Sequence, residues 1–253
     1  MASSPVHGSV AVSLVLPTQK ALDMSYVLPP HAITAVPVVG GGEFAVHRVY
    51  CVGRNYAEHA QEMGFTGREP PFFFMKPADA VVAVPDGTTG VIDYPSLTAN
   101  FHHEIELVVA IGKGGSNIKA ADAAGHIWGY AVGLDMTRRD IQGEMKKQGR
   151  PWCIGKAFEQ SAPCGSITPM GKSGELLSGA ITLDVNGKRR QTGDLKELIW
   201  SVNEVIEQLS TAWTLAPGDL IFSGTPAGVG AVVRGDVMEG RVEGVGTLRV
   251  AVR

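Results

Sequence analysis

Two glutamates one residue apart, Glu104 and Glu106, open an apolar run that continues to Ile111 and stops at Gly112. Short, apolar and rich in β-branched residues, residues 105–111 predict a buried strand. Strand side chains alternate faces, so residues 104 and 106 point the same way. Two carboxylates on one face of an apolar strand repel each other unless something positive lies between them. A hard divalent cation suits that place, because it takes oxygen ligands and offsets the cost of desolvating charge. The plain alternative is the solvated end of an edge strand. A third acid, Asp135, ends a second strand pattern at residues 128–135, where a side chain can project into a cleft. Three carboxylates with waters make an octahedral site for Mg²⁺ or Mn²⁺. Any one of them alone is equally well a polar strand end.

Further chemistry-bearing residues follow. Arg139 and Gln142 stand three apart and share one helix face. A guanidinium there can fork onto a substrate carboxylate while the amide adds a hydrogen bond. The neighbouring charges Arg138, Asp140, Glu144, Lys146 and Lys147 equally fit a solvated face. Lys156 has an apolar setting, so it either snorkels at the surface or steadies developing negative charge in a cleft. His59 and Glu62, also three apart, fit a base with its orienting carboxylate, or a surface helix pair. Residues 224–230, Gly-Thr-Pro-Ala-Gly-Val-Gly, lack the Gly-Lys-Ser/Thr ending of a phosphate loop, which argues against nucleotide binding. The better reading is a tight turn presenting the Thr225 hydroxyl and nearby amides to a ligand. Arg54, Phe65 and Arg68 are candidates to hold a second, distal carboxylate.

The elements that must position these groups are those of a turn-rich β protein. The chain has 253 residues, enough for a sizeable core, with 32 glycines and with Gly and Pro recurring every few positions after residue 160. Hydrophobic content is 44%, charged content 19% and net charge −3, an ordinary globular balance that argues against nucleic-acid or membrane partners. Cys51, Cys153 and Cys164 lack pair spacing, fit a reducing compartment and read as small buried hydrophobes. No apolar stretch is long enough for a bilayer and residues 9–16 lack signal-peptide features, so a cytoplasmic location is expected. Residues 1–23 read as a disordered extension, 24–47 as an N-terminal arm and 48–253 as the catalytic domain. Strands are expected at residues 47–52, 70–77, 128–135, 220–222 and 246–250. Helices are expected at 56–63, at 137–148 opened by Thr137 and Asp140, and most strongly at 195–212. That last helix is capped by Asp194 with Glu197, and its stripe of Leu195, Leu198, Ile199, Val202, Ile206 and Leu209 reads as core.

These pieces in this order resemble the fumarylacetoacetate hydrolase family. The resemblance is carried by Val52-Gly-Arg-Asn-Tyr-Ala-Glu-His59, Glu62, Lys76-Pro77, His103-Glu-Ile-Glu106, residues 133–142, Pro151-Trp152, Lys156-Ala-Phe158, Pro217-Gly-Asp219 and residues 224–230. It covers roughly residues 48–250, and so ordered a set is far more specific than any one motif. The resemblance implies an α+β, mostly β fold, a mixed β-sheet roll with a few peripheral helices, usually a homodimer with Mg²⁺ or Mn²⁺ in each subunit. It implies Glu104, Glu106 and Asp135 as metal ligands and His59 with Glu62 as a catalytic dyad on a lid. It also implies Arg139, Gln142 and Thr225 as substrate contacts and Lys156 as a catalytic group. Residues 1–23 have no counterpart in that pattern. Residues 53–64, 70–79 and 198–204 look most like bacterial members that hydrolyse fumarylpyruvate in gentisate breakdown. The implied activity is hydrolysis of a carbon–carbon bond in a 2,4-dioxo acid. Oxaloacetate decarboxylation or dienoate isomerisation on the same site is the alternative. A non-enzymatic, metal-stabilised binding protein is a third reading, weakened because no chemical position is missing.

Overall fold

A computed structural model describes residues 26–56 and 68–253. The expected extension at 1–23, most of the expected helix at 56–63, and with it His59, Glu62 and Phe65, lie outside the described residues. Residues 33–253 make one compact unit.

The strand Ile105–Ile111 is buried at every position, as its unbroken apolar run requires, and it lies inside a sheet, not at an edge. Leu220–Phe222 pairs with it antiparallel on one side and Ile127–Leu134 antiparallel on the other. Outward from these come Val49–Gly53, parallel to Leu220–Phe222, then Phe72–Lys76. On the far flank Ala162–Gly165 joins Ile127–Leu134 and is itself parallel to Val81–Val84. The result is an eight-stranded mixed sheet, counting Thr168–Pro169, which pairs with Ile127–Leu134 off the main path.

A second sheet of five strands runs Lys188–Asp194, Ala180–Val185, Val237–Val242, Gly246–Val252 and Gly90–Ile92. Its apolar residues Ile181, Leu183, Met238, Leu248 and Val250 join Ile105, Leu107, Val109 and Ile111 in the larger core. The approach is close: a Cβ at Gly240 would lie 2.4 Å from Ile105 Cδ1, so that position has no room for a side chain. The opposite face of the central strands carries Val108, Ala110, Ala131, Cys51 and Cys164, small residues that pack with Phe222 into a second core. Glu104 and Glu106 extend the row of Val108 and Ala110, so the carboxylates emerge at the end of that face. The hairpin Ala35–Pro37 with Glu43–Ala45 brings Val36 and Val46 into the same core.

The fold is therefore mostly β with mixed sheets and short helices. Three local expectations need correction. The helix expected at 195–212 is broken. A 3-10 turn, Leu195–Glu197, is capped by Asp194 and Glu197, and the α-helix Val202–Ala212 starts afresh from a second capping box, Ser201 with Glu204. Leu198 forms a bridge with Tyr56, and Ile199 N–H bonds the Asn55 carbonyl, so tertiary pairing pulls residues 198–200 out of the helix. Thr137 does not cap a helix: Thr137–Arg138 is a short strand against Phe101–His103, and the helix is Arg139–Lys147. Asp140 instead accepts from the Thr98 hydroxyl and the Ala99 amide, tying the helix start to the preceding loop. Of the cysteines, Cys51 and Cys164 are buried but Cys153 is exposed.

Candidate functional site

Antiparallel register builds the carboxylate cluster. Ile105 faces Leu134 and Glu106 faces Gly133, so the next pair outward sets Glu104 beside Asp135, whose N–H bonds the Glu104 carbonyl at 2.9 Å. Glu104, Glu106 and Asp135 are all buried, and one carboxylate oxygen from each lies within 4.8 Å of the others. The edge-strand alternative is thus excluded.

Three basic side chains converge on this cluster. Lys156 Nζ lies 2.8 Å from Glu104 Oε2 and 2.7 Å from Asp135 Oδ2. It is buried, and Phe74 lies under it with the ring centroid 5.1 Å away. Burial opposes its charge, but Asp135 and Glu104 outweigh that and hold the ammonium above its ordinary pKa. Lys76, at the end of Phe72–Lys76, pairs with Asp135 Oδ1 at 2.8 Å and is also buried. Arg139 pairs with Glu104 and donates through Nη1 to Gln142 Oε1 at 2.5 Å, so these two act together and not as a solvated face. Arg139 Nε also donates to His102 Nδ1 at 3.3 Å. Burial, with Arg139 adding repulsion, pushes His102 down to about 4, which leaves the ring neutral and able to accept.

Glu106 is served differently. Its Oε2 accepts from the Gly224 N–H at 2.8 Å, and no basic side chain pairs with it among the described residues. Burial raises its pKa well above the ordinary carboxylate value, and Asp135 and Glu104 raise it further by like-charge repulsion. A crowd of hard oxygen donors with one carboxylate lacking a cationic partner is the electrostatic setting a divalent cation would relieve. The residues therefore fit Mg²⁺ or Mn²⁺.

Gly224 has φ +102°, and a Cβ there would meet Asn55 Cβ at 2.7 Å, so the turn that presents its amide to Glu106 requires glycine. Thr225 follows, buried, in the same loop. The cleft is lined by Glu104, Glu106, Asp135, Arg139, Lys156 and Thr225, with Gln142, Arg54, Phe74 and Trp152 beside them. The structure thus brings together Glu104, Glu106, Asp135, Arg139, Gln142, Lys156 and Thr225, with Arg54 at the same cleft. Arg68 is elsewhere, stacked 4.1 Å over Trp200 and paired with Glu204. Sequence reasoning gave no role to Lys76, His102 or Gln191. Lys76 carried a weak signal, as a lysine ending an aromatic strand.

A family model described as fumarylacetoacetate (FAA) hydrolase C-terminal matches residues 48–253. A fumarylpyruvate hydrolase of Ralstonia sp is 47% identical over 184 residues, covering 73% of this chain and 93% of the relative. A mitochondrial oxaloacetate tautomerase of Rattus norvegicus is 41% identical over 204 residues, covering 81% and 90%. The crystal structure of a fumarylpyruvate hydrolase from Pseudomonas aeruginosa, in complex with Mn²⁺ and pyruvate, superposes with a TM-score of 0.89 at 55% identity, over 90% of this chain and 99% of that one. The family match runs through both sheets and every strand that builds the cleft, and the chain belongs to the fumarylacetoacetate hydrolase family of enzymes.

Proposed function

We propose that this enzyme hydrolyses the C3–C4 bond of a 2,4-dioxo acid, with fumarylpyruvate as substrate and fumarate and pyruvate as products. The observation that carries the reading is the buried cluster of Glu104, Glu106 and Asp135 with the Lys156 ammonium between two of them. The likeness to fumarylpyruvate hydrolases supports the choice of acyl group. Glu104, Glu106 and Asp135 would hold Mg²⁺ or Mn²⁺, which when bound supplies Lewis acidity and a template for a 2-oxo carboxylate. Arg139, Gln142 and Thr225 orient the substrate carboxylate by charge-assisted hydrogen bonds. His59, oriented by Glu62, takes a proton from water as that water attacks the C4 carbonyl. The C3–C4 bond breaks, its electron pair leaves as the pyruvate enolate, and the Lys156 ammonium steadies the developing charge. The proton from water ends on C3, giving pyruvate and the free acid. In this reading the enzyme works as a cytoplasmic homodimer, and no described helix is long and apolar enough to cross a membrane.

A second reading, keto–enol interconversion of oxaloacetate, is favoured by the tautomerase relative. It would need the same carboxylates and Lys156 but no attacking water. The test is turnover of acetylpyruvate, fumarylpyruvate, fumarylacetoacetate and oxaloacetate, each with and without EDTA, followed by loss of the dioxo absorbance and by product analysis. Pyruvate and fumarate formed only without EDTA support the hydrolase. Oxaloacetate interconversion with no cleavage of any acylpyruvate overturns it.

A further inference from the structure

Gln191 lies in the second sheet, on the strand Lys188–Asp194, yet its side chain is completely buried and reaches the cleft wall. It makes four hydrogen bonds. Nε2 lies 2.8 Å from Thr225 Oγ1 and 2.8 Å from the Pro226 carbonyl. Oε1 lies 3.1 Å from the Ile105 N–H and 2.9 Å from His103 Nδ1. Two of these partners allow only one orientation of the amide. The Ile105 N–H can only donate, so it must face the amide oxygen. The Pro226 carbonyl can only accept, so it must face the amide nitrogen. His103 Nδ1 must then carry a proton to donate, and Thr225 Oγ1 must accept.

That assignment has a consequence for Thr225. A hydroxyl has one proton and can accept through its lone pairs. With Gln191 Nε2–H donating to Oγ1, the Thr225 proton remains for another acceptor, and no described side chain or carbonyl takes it. Thr225 lines the cleft together with Glu106, Arg139 and Gln142. We propose that Gln191 is a positioning residue that fixes the Thr225 hydroxyl as a hydrogen-bond donor toward an acceptor-only group of the ligand, the carboxylate of a 2-oxo acid. This rests on the reading of the site as a 2-oxo acid site. It ties substrate recognition to the second sheet, through a residue remote in sequence from every other cleft group.

The test is calorimetry of pyruvate binding to the Mn²⁺-loaded full chain. Gln191→Glu keeps an acceptor for Ile105 N–H but offers Thr225 a carboxylate, which draws the hydroxyl proton away from the cleft. Gln191→Met removes the amide without competing for that proton. Thr225→Val removes the hydroxyl and leaves Gln191 in place. Thr225→Val and Gln191→Glu should each weaken pyruvate about 10- to 100-fold, the scale of one hydrogen bond to a charged group. Gln191→Met should lose less, and Mn²⁺ affinity should stay unchanged throughout. Combining either Gln191 variant with Thr225→Val should add no further loss. If Gln191→Glu does not fold, the Gln191→Met and Thr225→Val cycle decides on the same criterion. Additive losses, a greater loss in Gln191→Met than in Gln191→Glu, or no loss at all would overturn the proposal, as would failure of the wild-type enzyme to bind pyruvate. Pyruvate binding with this pattern but no turnover of fumarylpyruvate would instead sink the substrate reading and leave Gln191 standing.

Discussion

Lys156 touches Glu104 and Asp135, Arg139 touches Glu104, and Lys76 touches Asp135, so positive charge is spread unevenly over the three carboxylates. Glu106 receives a backbone N–H instead, and it is the group with most to gain from a cation. Glu106→Gln keeps the shape and the Gly224 contact while removing the charge. Losing a direct ligand should cost at least the roughly 100-fold that outer partners of metal sites can cost. Mn²⁺ titration by calorimetry checks this, and an unchanged affinity would remove Glu106 from the ligand set. The cysteines allow a separate test. Burial pushes Cys164 up to about 12 and raises Cys51 as well, so neither supplies thiolate near pH 8. Cys153 is exposed. A thiol reagent at that pH should modify one cysteine in the native chain and all three after denaturation; rapid labelling of more than one would contradict the packing. At this scale Glu104 and Glu106 were legible because a period of two puts them on one face, and Asp135 because a carboxylate ended an apolar run. Gln191 was not, because the strand 188–194 reads Lys-Arg-Arg-Gln-Thr-Gly-Asp, a polar string in which nothing marks the one buried member.

Strands and loops show where local pattern stops being sufficient. The central strands were readable because burial on both faces demands apolar runs. The break at 198–200 was not, because residues 195–212 keep a helical stripe while tertiary pairing overrides it. Asn55 is the residue that enforces the break. Its amide nitrogen donates to the Ser223 and Trp200 carbonyls at 2.8 and 2.9 Å, and its oxygen accepts from the Trp200 N–H at 2.8 Å. One buried side chain thus joins the strand end after Val49–Gly53, the loop leading to Gly224 and Thr225, and the segment before Val202–Ala212. Asn55→Ala leaves the buried Ser223 carbonyl unsatisfied, at roughly 1–3 kcal/mol, and removes two part-buried bonds to Trp200 worth about 0.5 kcal/mol each, about 2–4 kcal/mol together. Thermal unfolding should move down by about 4–16 °C, since each kcal/mol is worth roughly 2–4 °C in a chain of this size. The loop also presents Gly224 to Glu106, so Mn²⁺ affinity should fall with stability. A variant as stable as wild type would mean that the three segments are held by their other contacts.

Across the whole molecule the carboxylate cluster joins segments distant in sequence. Ile105–Ile111 and Ile127–Leu134 bring the acids, Phe72–Lys76 and the helix Cys153–Lys156 bring the lysines, and Arg139–Lys147 brings Arg139 and Gln142. The loop after Leu220–Phe222 brings Gly224 and Thr225. Those elements assemble only in the folded chain, so an ion held by the cluster binds the native state and not the unfolded one. Mass action then converts affinity into stability: a free Mn²⁺ concentration 100-fold above Kd stabilises by about 2.7 kcal/mol. In a chain of this length that corresponds to a rise of about 5–10 °C in Tm. EDTA should return the transition to the metal-free position, and Glu106→Gln should abolish most of the rise. Because removing Glu106 also relieves carboxylate repulsion, the metal-free variant should unfold at or above the temperature of the metal-free wild type. A variant that still gains the full shift from Mn²⁺ would put the ion elsewhere on the molecule. One that unfolds well below wild type without metal would mean that the Glu106 charge stabilises the metal-free fold, and is not held there against its own desolvation cost.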